Sequence, residues 1–272
     1  MNTALKNLIA GAGHVPADRD YARRTLASMD LTSLGENDTD EMIIDLCRRA
    51  ITPVGRVAAV CLYGRFVPLA RRRLAGTGVK VATVCNFPHG GGDARKAVSE
   101  AKAQVAGGAE EVDVVLPYKR YMAGDTDRAV SLIEQVRSVC GETARLKVIL
   151  ETSQIRSLRM IEAASRDVIL AGADFIKTST GKVPGGAQLD VAAVMLSVIA
   201  EMQPKMNRPL GFKPSGGLKT VADAAGYLYL ADQIMGRGWA TPETFRFGAS
   251  SLLDDVLREL GEAETDTELG DY

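Results

Sequence analysis

Histidine and cysteine are scarce in this sequence, which has two histidines and four cysteines in 272 residues. No CxxC pair occurs, and no set of His and Cys residues has zinc-binding spacing. We therefore expect no metal site, and we predict reduced thiols and a cytoplasmic location. Chemistry that needs a histidine base is also disfavoured, which leaves lysine, aspartate, glutamate and tyrosine as the candidate reactive groups. The cysteines are Cys47, Cys61, Cys85 and Cys140.

Net charge and long apolar runs are lacking as well. The 33 basic and 34 acidic side chains nearly cancel, so the chain offers neither the basic surface that binds nucleic acid nor a polybasic membrane anchor. No run of about 18 apolar residues is present, so no transmembrane helix is expected. The start of the chain carries too many charges for a signal peptide. We predict a globular protein that binds neither nucleic acid nor membranes.

Short apolar runs alternate with amphipathic stretches along the chain. The runs are apolar on both faces, which is typical of buried parallel strands, and the stretches between them have helical spacing. About eight such units predict an α/β fold, a (β/α)8 TIM barrel. An open doubly wound sheet is the alternative, which the lack of a GxGxxG turn disfavours. The runs are 26–34, 56–64, 79–87, 110–117, 145–152, 173–179, 208–217 and 244–251.

Both ends of the chain differ from this repeating pattern. Residues 1–22 are predicted to form a short helical extension that precedes the barrel. Residues 261–272 are acidic and contain glycine, which predicts a flexible tail. We therefore expect one barrel domain over residues 1–260, followed by that tail.

Two lysines lie inside apolar runs, where a buried ammonium group is costly. Lys177 lies in ADFIKTS and Lys213 lies in LGFKPS, one β/α unit later. Because neighbouring strands are about 4.8 Å apart, side chains that both point into the barrel mouth bring two ammonium groups together. Like charge and desolvation then lower the pKa of one amine. A neutral amine can attack a carbonyl group and form a Schiff base.

Asp113, in the apolar run EEVDVV, is the acidic candidate. It lies two strands before Lys177, and it could pair with Lys213 and transfer protons through a water molecule. A single lysine at a strand end is more commonly solvated or salt-bridged, but two lysines and an interior aspartate on three strands favour a functional site. Four further residues have a structural interpretation that is as good as a functional one or better: Asn86, Glu151, Cys61 and Cys85.

The last loops indicate an anion site. SGGLKT (215–220) and GASS (248–251) each place glycine before a predicted helix. Glycine lets the backbone approach an anion, helix N-termini present free N–H groups, and barrels commonly bind phosphate after strands seven and eight. The loop after strand six adds Gly181 and Lys182, without the spacing of a Walker A motif. Tight turning and simple helix capping are the alternative explanation.

Several segments together resemble deoxyribose-phosphate aldolase, a family of class I, Schiff-base aldolases. FIKTSTGK (175–182) combined with GFKP (211–214) is specific, and the similarity extends from residue 29 to residue 272. The resemblance implies a TIM barrel that reversibly cleaves 2-deoxy-D-ribose 5-phosphate to D-glyceraldehyde 3-phosphate and acetaldehyde in deoxyribonucleoside catabolism. It also implies that no metal or other cofactor takes part. The other similar segments are 84–92, 111–124 and 246–253.

The resemblance also implies roles for individual residues. Lys177 forms the Schiff base, and Lys213 perturbs its pKa and shares in proton transfer. Asp113 acts with Lys213 through water, and Tyr272 reaches the site from the tail to assist proton transfer at the acetaldehyde carbon. The sequence departs from the family where it has Lys219, since arginine is common there. The implied phosphate site consists of Gly181, Lys182, Gly216, Gly217, Ser250 and Ser251.

Alternative functions remain open at this point. Another Schiff-base barrel, such as a transaldolase or a fructose-bisphosphate aldolase, would need hydroxyl contacts that Leu31 and Cys61 do not obviously supply. A metal-dependent aldolase and a non-catalytic sugar-phosphate-binding protein are further alternatives, and the intact Asp113, Lys177 and Lys213 argue against the latter. The expected binding partners are a small phosphorylated sugar and acetaldehyde. The sequence is compatible with a homodimer but does not fix the oligomeric state.

Overall fold

The computed structural model describes residues 3–262, in which eight parallel strands form a barrel. Each of the first six strands pairs with the next one along the chain, and the eighth pairs with the first through Met29 and Phe247. A parallel bridge between Phe212 and Phe245 links the seventh and eighth strands. The predicted (β/α)8 TIM barrel is thereby confirmed. The strands are β1 (Met29–Thr32), β2 (Ala59–Leu62), β3 (Lys80–Cys85), β4 (Glu111–Val115), β5 (Arg145–Ile149), β6 (Phe175–Lys177), β7 (Gly211–Lys213) and β8 (Phe247–Ala249).

Alternation along the strands explains why charged residues occur in buried runs. In β4 every residue is buried, and successive side chains point to opposite faces of the sheet. Val112 and Val114 pack in the main hydrophobic core, whereas Glu111 and Asp113 point into the barrel, where they meet other charged side chains. This part of the barrel interior is therefore polar, inside an apolar shell.

The helices cover the barrel, and several begin at side-chain caps of the expected type. Thr220, for example, forms a capping box with Asp223 at the start of the helix after β7. A hairpin of Ile51–Thr52 and Gly55–Arg56 was not predicted. The helices are Thr3–Ala12, Arg19–Ala27, Asp40–Arg49, Val67–Arg73, Ala94–Ala106, Tyr118–Met122, Thr126–Cys140, Thr152–Ile155, Leu158–Leu170, Leu189–Met202, Val221–Met235 and Leu252–Leu260.

The N-terminal extension is longer than predicted, because its second helix continues to Ala27. Thr25 and Leu26 are buried, and Arg24 forms a salt bridge of 2.7 Å with Asp232 on the helix after β7. These contacts extend the helix beyond residue 22, the predicted end of the extension. Short sequence patterns do not reveal such contacts, since the partner lies about 200 residues away along the chain.

The C-terminal end of the chain was predicted to be a tail over residues 261–272. The last helix ends at Leu260, but the predicted tail from residue 263 onward lies outside the described residues. Tyr272 also lies outside them, so its role and the domain boundary at residue 260 stay predictions. Between residues 3 and 262, no helix has both the length and the apolar character needed to span a membrane.

Candidate active site

A cluster of seven charged side chains occupies the barrel interior. None of them is more than 3% exposed. Buried charges are costly unless they are paired and hydrogen-bonded, and every member of this cluster has at least one partner of opposite charge. We call this set the core ion cluster. Its members are Asp30, Glu111, Asp113, Lys147, Lys177, Lys213 and Arg246.

Asp113 lies at the centre of the core ion cluster and binds three lysines. Its Oδ2 atom accepts hydrogen bonds from Lys177 Nζ at 2.8 Å and from Lys213 Nζ at 2.7 Å. Its Oδ1 atom accepts one from Lys147 Nζ at 2.9 Å. Lys177 and Lys213 are also paired in the strand register. The structure therefore brings together three of the four sequence-predicted catalytic side chains, with two lysine nitrogens on one carboxylate oxygen.

The two lysines on that oxygen have opposite pKa shifts. Burial lowers the pKa of Lys177, and the charge of Lys213 adds to this lowering although Asp113 opposes it. For Lys213 burial also acts to lower the pKa, but Asp113 and Asp30 outweigh it and raise the pKa above its usual value. Lys213 has a second carboxylate partner, since its Nζ atom lies 2.5 Å from Asp30 Oδ2. Lys177 is therefore the amine that loses its proton more readily.

Four members of the core ion cluster were not among the predicted site residues. Lys147 connects Asp113 to Glu111, whose Oε2 atom is 2.5 Å from Lys147 Nζ. Arg246 connects Glu111 to Asp30, with distances of 2.7 Å to Glu111 Oε1 and 2.6 Å to Asp30 Oδ1. The sequence carried a signal for Lys147, because RLKVILET places a lysine inside an apolar run just as ADFIKTS does.

A cavity of about 420 Å³ opens at the carboxyl ends of the strands, and Lys177 lines it. Two glycine-containing loops meet there. A Cβ atom on Gly186 would lie 2.4 Å from the carbonyl oxygen of Gly216, and both glycines have positive φ angles of 46° and 87°. Only glycine permits this approach and this backbone conformation. All six residues of the predicted phosphate site line the cavity: Gly181, Lys182, Gly216, Gly217, Ser250 and Ser251.

The structure shows hydrogen bonds or burial for the remaining sequence candidates. Asn86 has a structural position, because its amide donates to the carbonyl oxygens of Gly91 and Val115 at 2.9 and 3.0 Å. Glu151 accepts a hydrogen bond of 2.6 Å from Thr180, and burial raises its pKa. Cys61 is fully buried on β2, and burial raises the pKa of its thiol, which disfavours the reactive thiolate.

The four cysteines are all free and buried. Among residues 3–262, no three His, Cys, Asp or Glu side chains are placed to hold a metal ion together. The groups that the described site presents to a ligand are therefore amines, carboxylates, hydroxyls and backbone N–H groups.

Comparison with known proteins gives a family match. The model of the DeoC/LacD family aldolases matches residues 24–257. A solved "putative deoxyribose-phosphate aldolase" from Coccidioides immitis is 29% identical over 93% of this chain and 97% of that chain, with a TM-score of 0.74. A protein of the same description from Toxoplasma gondii ME49 is 22% identical over 91% and 96%, with a TM-score of 0.82. The tetrameric deoxyribose phosphate aldolase of Aeropyrum pernix is 24% identical over 94% and 97%, with a TM-score of 0.69. The last two likenesses show the fold alone.

Proposed function

Because the chain belongs to the DeoC/LacD aldolase family, we propose that it is a class I deoxyribose-phosphate aldolase. The proposed reaction is the reversible cleavage of 2-deoxy-D-ribose 5-phosphate to D-glyceraldehyde 3-phosphate and acetaldehyde, a step of deoxyribonucleoside catabolism. One observation carries the proposal. A lysine with a lowered pKa, Lys177, lines the cavity at the barrel mouth and shares the Asp113 carboxylate with the protonated Lys213.

The first half of the proposed reaction makes the Schiff base. The lone pair of neutral Lys177 Nζ attacks C1 of the open-chain aldehyde, and proton transfers convert the hydroxyl of the resulting carbinolamine into water, which leaves. The product is an iminium ion between Nζ and C1. Lys213 can donate a proton during these steps because it remains charged. Asp113 can transfer a proton back through a water molecule.

The second half breaks a carbon–carbon bond. Acetaldehyde contains two carbons, so the bond that breaks is C2–C3, and its electron pair moves onto C2 as the iminium becomes an enamine. The C3 hydroxyl loses its proton and becomes the aldehyde of glyceraldehyde 3-phosphate. A proton then adds to C2, and water releases acetaldehyde from Lys177. Tyr272 stays the predicted donor of the C2 proton.

One part of the barrel wall is apolar, and this part favours acetaldehyde over a hydroxylated donor. A small group of buried apolar side chains lines the interior on β2 and β3, namely Cys61, Ala82 and Val84. These side chains offer no hydroxyl or amide group to a donor hydroxyl. Dihydroxyacetone phosphate should therefore be a poor donor, which separates this proposal from a ketose-type Schiff-base aldolase.

Trapping the intermediate tests the proposal directly. The protein is incubated with acetaldehyde and borohydride, digested, and mapped by mass spectrometry, with a parallel sample that contains dihydroxyacetone phosphate. We expect one reduced two-carbon adduct, on Lys177, and cleavage of 2-deoxy-D-ribose 5-phosphate in the unreduced enzyme. An adduct on another lysine would refute the residue assignment, and binding of the sugar phosphate without cleavage would support the non-catalytic alternative.

The phosphate end of the substrate is assigned to the loops after β6, β7 and β8. Glycine backbone N–H groups and the start of helix Leu252–Leu260 provide donors for an anion. Lys182 also lines this cavity, and its Nζ atom is 2.5 Å from the carbonyl oxygen of Leu34.

Four free, buried cysteines support a cytoplasmic location for the enzyme, because thiols stay reduced in the cytoplasm.

Introducing a negative charge at Ser251 tests the phosphate assignment. Ser251→Asp is expected to raise the KM for 2-deoxy-D-ribose 5-phosphate by about 10- to 100-fold, because like charges repel in the partly desolvated cavity. Trapping of acetaldehyde on Lys177 should be unchanged. Steady-state kinetics on phosphorylated and unphosphorylated deoxyribose provide the readout, and Ser251→Ala is the matched control. An equal loss on both sugars would contradict the assignment.

Gly248 provides the space in which Lys213 lies. A Cβ atom at this position would be 3.1 Å from Lys213 Cε and 2.6 Å from Ser215 Oγ. Gly248→Ala is expected to displace the lysine and lower kcat by about 10- to 100-fold. Gly13→Ala is the control, because its added Cβ has its nearest contact at 3.6 Å. Wild-type kcat in the Gly248 variant would show that Lys213 needs no fixed position.

A further inference from the structure

Arg246 and Glu111 form the end of the core ion cluster that lies away from Lys177. Both line a second cavity, of about 780 Å³, together with residues at the amino ends of β5 and β6. Lys177 lines the cavity at the opposite end of the barrel. Neither Arg246 nor Glu111 has a hydrogen bond or salt bridge to Lys177 among the contacts of the described residues. Any positioning of Lys177 by this pair must therefore pass through other members of the cluster, whereas their charges can act on its amine through space.

Arg246 is held in one orientation from several sides. Its Nε atom donates to the carbonyl oxygen of Pro242 at 2.5 Å, and its two terminal nitrogens bind Glu111 in a fork at 3.0 and 2.7 Å. The guanidinium carbon lies 5.8 Å from the centre of the Phe175 ring. Gly211 leaves space for that ring, because a Cβ there would approach it to 2.3 Å.

A continuous series of contacts connects this fork to Asp113. Glu111 Oε2 lies 2.5 Å from Lys147 Nζ, and Lys147 Nζ lies 2.9 Å from Asp113 Oδ1. Lys147 thereby occupies one oxygen of Asp113. The other oxygen is left for Lys177 and Lys213. The orientation of the Asp113 carboxylate thus depends on an ion pair at the far end of the barrel.

The formal charges of the core ion cluster depend on the protonation state of Lys177. Three carboxylates face three groups whose pKa values are raised and which therefore stay positive, namely Lys147, Lys213 and Arg246. The three carboxylates have lowered pKa values and stay negative. The sum is zero when Lys177 is neutral, and each proton or iminium on Lys177 adds one positive charge.

We propose that Arg246 and Glu111 are positioning residues for Lys177. Acting through Lys147 and, from Arg246, through Asp30 and Lys213, they orient Asp113 and balance the charge around the amine from the opposite end of the barrel. The inference rests on the proposed Schiff-base function and adds to it a pair of residues that never touches substrate. If these residues act through their charge, the loss of Glu111 should lower the pKa of Lys177, and the loss of Arg246 should raise it. The loss of both should leave this pKa close to its wild-type value.

The groups that act on Lys177 come from most of the barrel strands, and they have to be considered together. Asp113 and Glu111 lie on β4, Lys147 on β5 and Lys213 on β7. Because the charged members carry fixed charges, a change in one of them should move the titration of Lys177 without adding a new titration. The remaining titratable groups that face the same interior are Asp30 on β1, Cys61 on β2, Glu151 after β5 and Arg246 before β8. Asp38, Lys182 and Lys219 line the cavity that Lys177 also lines.

The test is the pH profile of acetaldehyde trapping on Lys177 in three variants. Glu111→Gln removes a negative charge, which disfavours protonated Lys177, so the midpoint should move about one pH unit lower. Arg246→Met removes a positive charge, so the midpoint should move about one pH unit higher. The double variant should return close to the wild-type midpoint. Arg145→Gln is the control, because Arg145 lies at the same end but pairs with Glu243.

Each outcome has a defined meaning. Unchanged midpoints, shifts in the same direction for both single variants, or a double variant that does not return would overturn the inference. If Arg246→Met does not fold, as judged by circular dichroism, the nearly isosteric Glu111→Gln decides alone, and a midpoint that does not fall overturns it. An absent Lys177 adduct in the wild-type protein would instead refute the proposed function.

Discussion

Replacing Lys177 with methionine is expected to lower the turnover of 2-deoxy-D-ribose 5-phosphate by about 10⁴-fold or more and to abolish the acetaldehyde adduct. Methionine keeps most of the length of the side chain but has no amine to attack the aldehyde. It also removes one of the three lysines on Asp113, whose other two partners remain. The variant should therefore fold, which circular dichroism would verify, and lose its chemistry.

Lys80→Met is the matched control for this experiment. Lys80 is exposed and forms a salt bridge of 2.9 Å with Glu110, outside the core ion cluster. Its loss should leave both turnover and the adduct on Lys177 unchanged, because surface ion pairs contribute little. If Lys177→Met kept more than about one per cent of wild-type turnover, the Schiff-base assignment would be wrong.

Three lysines touch Asp113, and the geometry distinguishes the one suited to nucleophilic attack. Lys147 also contacts Glu111 and Asp30, and Lys213 also contacts Asp30. These additional carboxylates raise the pKa of both amines above the usual value. Lys177 has Asp113 as its single carboxylate partner among the described residues, and its pKa is lowered. Lys177 therefore gives up its proton more readily than its two neighbours.

The barrel could be predicted from local patterns because each strand is short, buried on both faces and separated from the next by a helix. EVDVV and RLKVI show this arrangement clearly, and both form strands at the expected positions. The hairpin at Ile51–Thr52 and Gly55–Arg56 is too short to produce such a pattern. The end of the helical extension at Ala27 depends on tertiary contacts, which periodicity does not reveal.

The centre of the site could be predicted only in part. A charged residue in an apolar run is recognisable from the sequence, but the residues that it contacts are not. Lys177, Lys213 and Asp113 were recognisable for this reason, and Lys147 shares the feature. Arg246 lies just before β8, between Phe245 and Phe247, so it also carried this local signal, although the sequence did not show what it pairs with. Its place in the core ion cluster becomes evident from contacts with Asp30 and Glu111, which are 216 and 135 residues away along the chain.

Replacing Lys213 with methionine is expected to move the pH profile of acetaldehyde trapping on Lys177 to higher pH by about one unit. The charge of Lys213 contributes to the lowered pKa of Lys177, so its loss favours the protonated, unreactive amine. Turnover should fall by about 10²- to 10³-fold, because a proton donor is also removed. Trapping and steady-state kinetics between about pH 6 and pH 10 measure both effects.

Lys213→Arg separates the two roles of this lysine, charge and proton transfer. Arginine keeps a positive charge beside Asp113 and Asp30, so the trapping profile should return toward that of the wild-type protein. Because a guanidinium does not release its proton near neutral pH, turnover should stay low if Lys213 moves protons. Full recovery of turnover in the arginine variant would assign Lys213 a purely electrostatic role. A methionine variant whose profile moved to lower pH would contradict the proposed charge balance of the barrel interior.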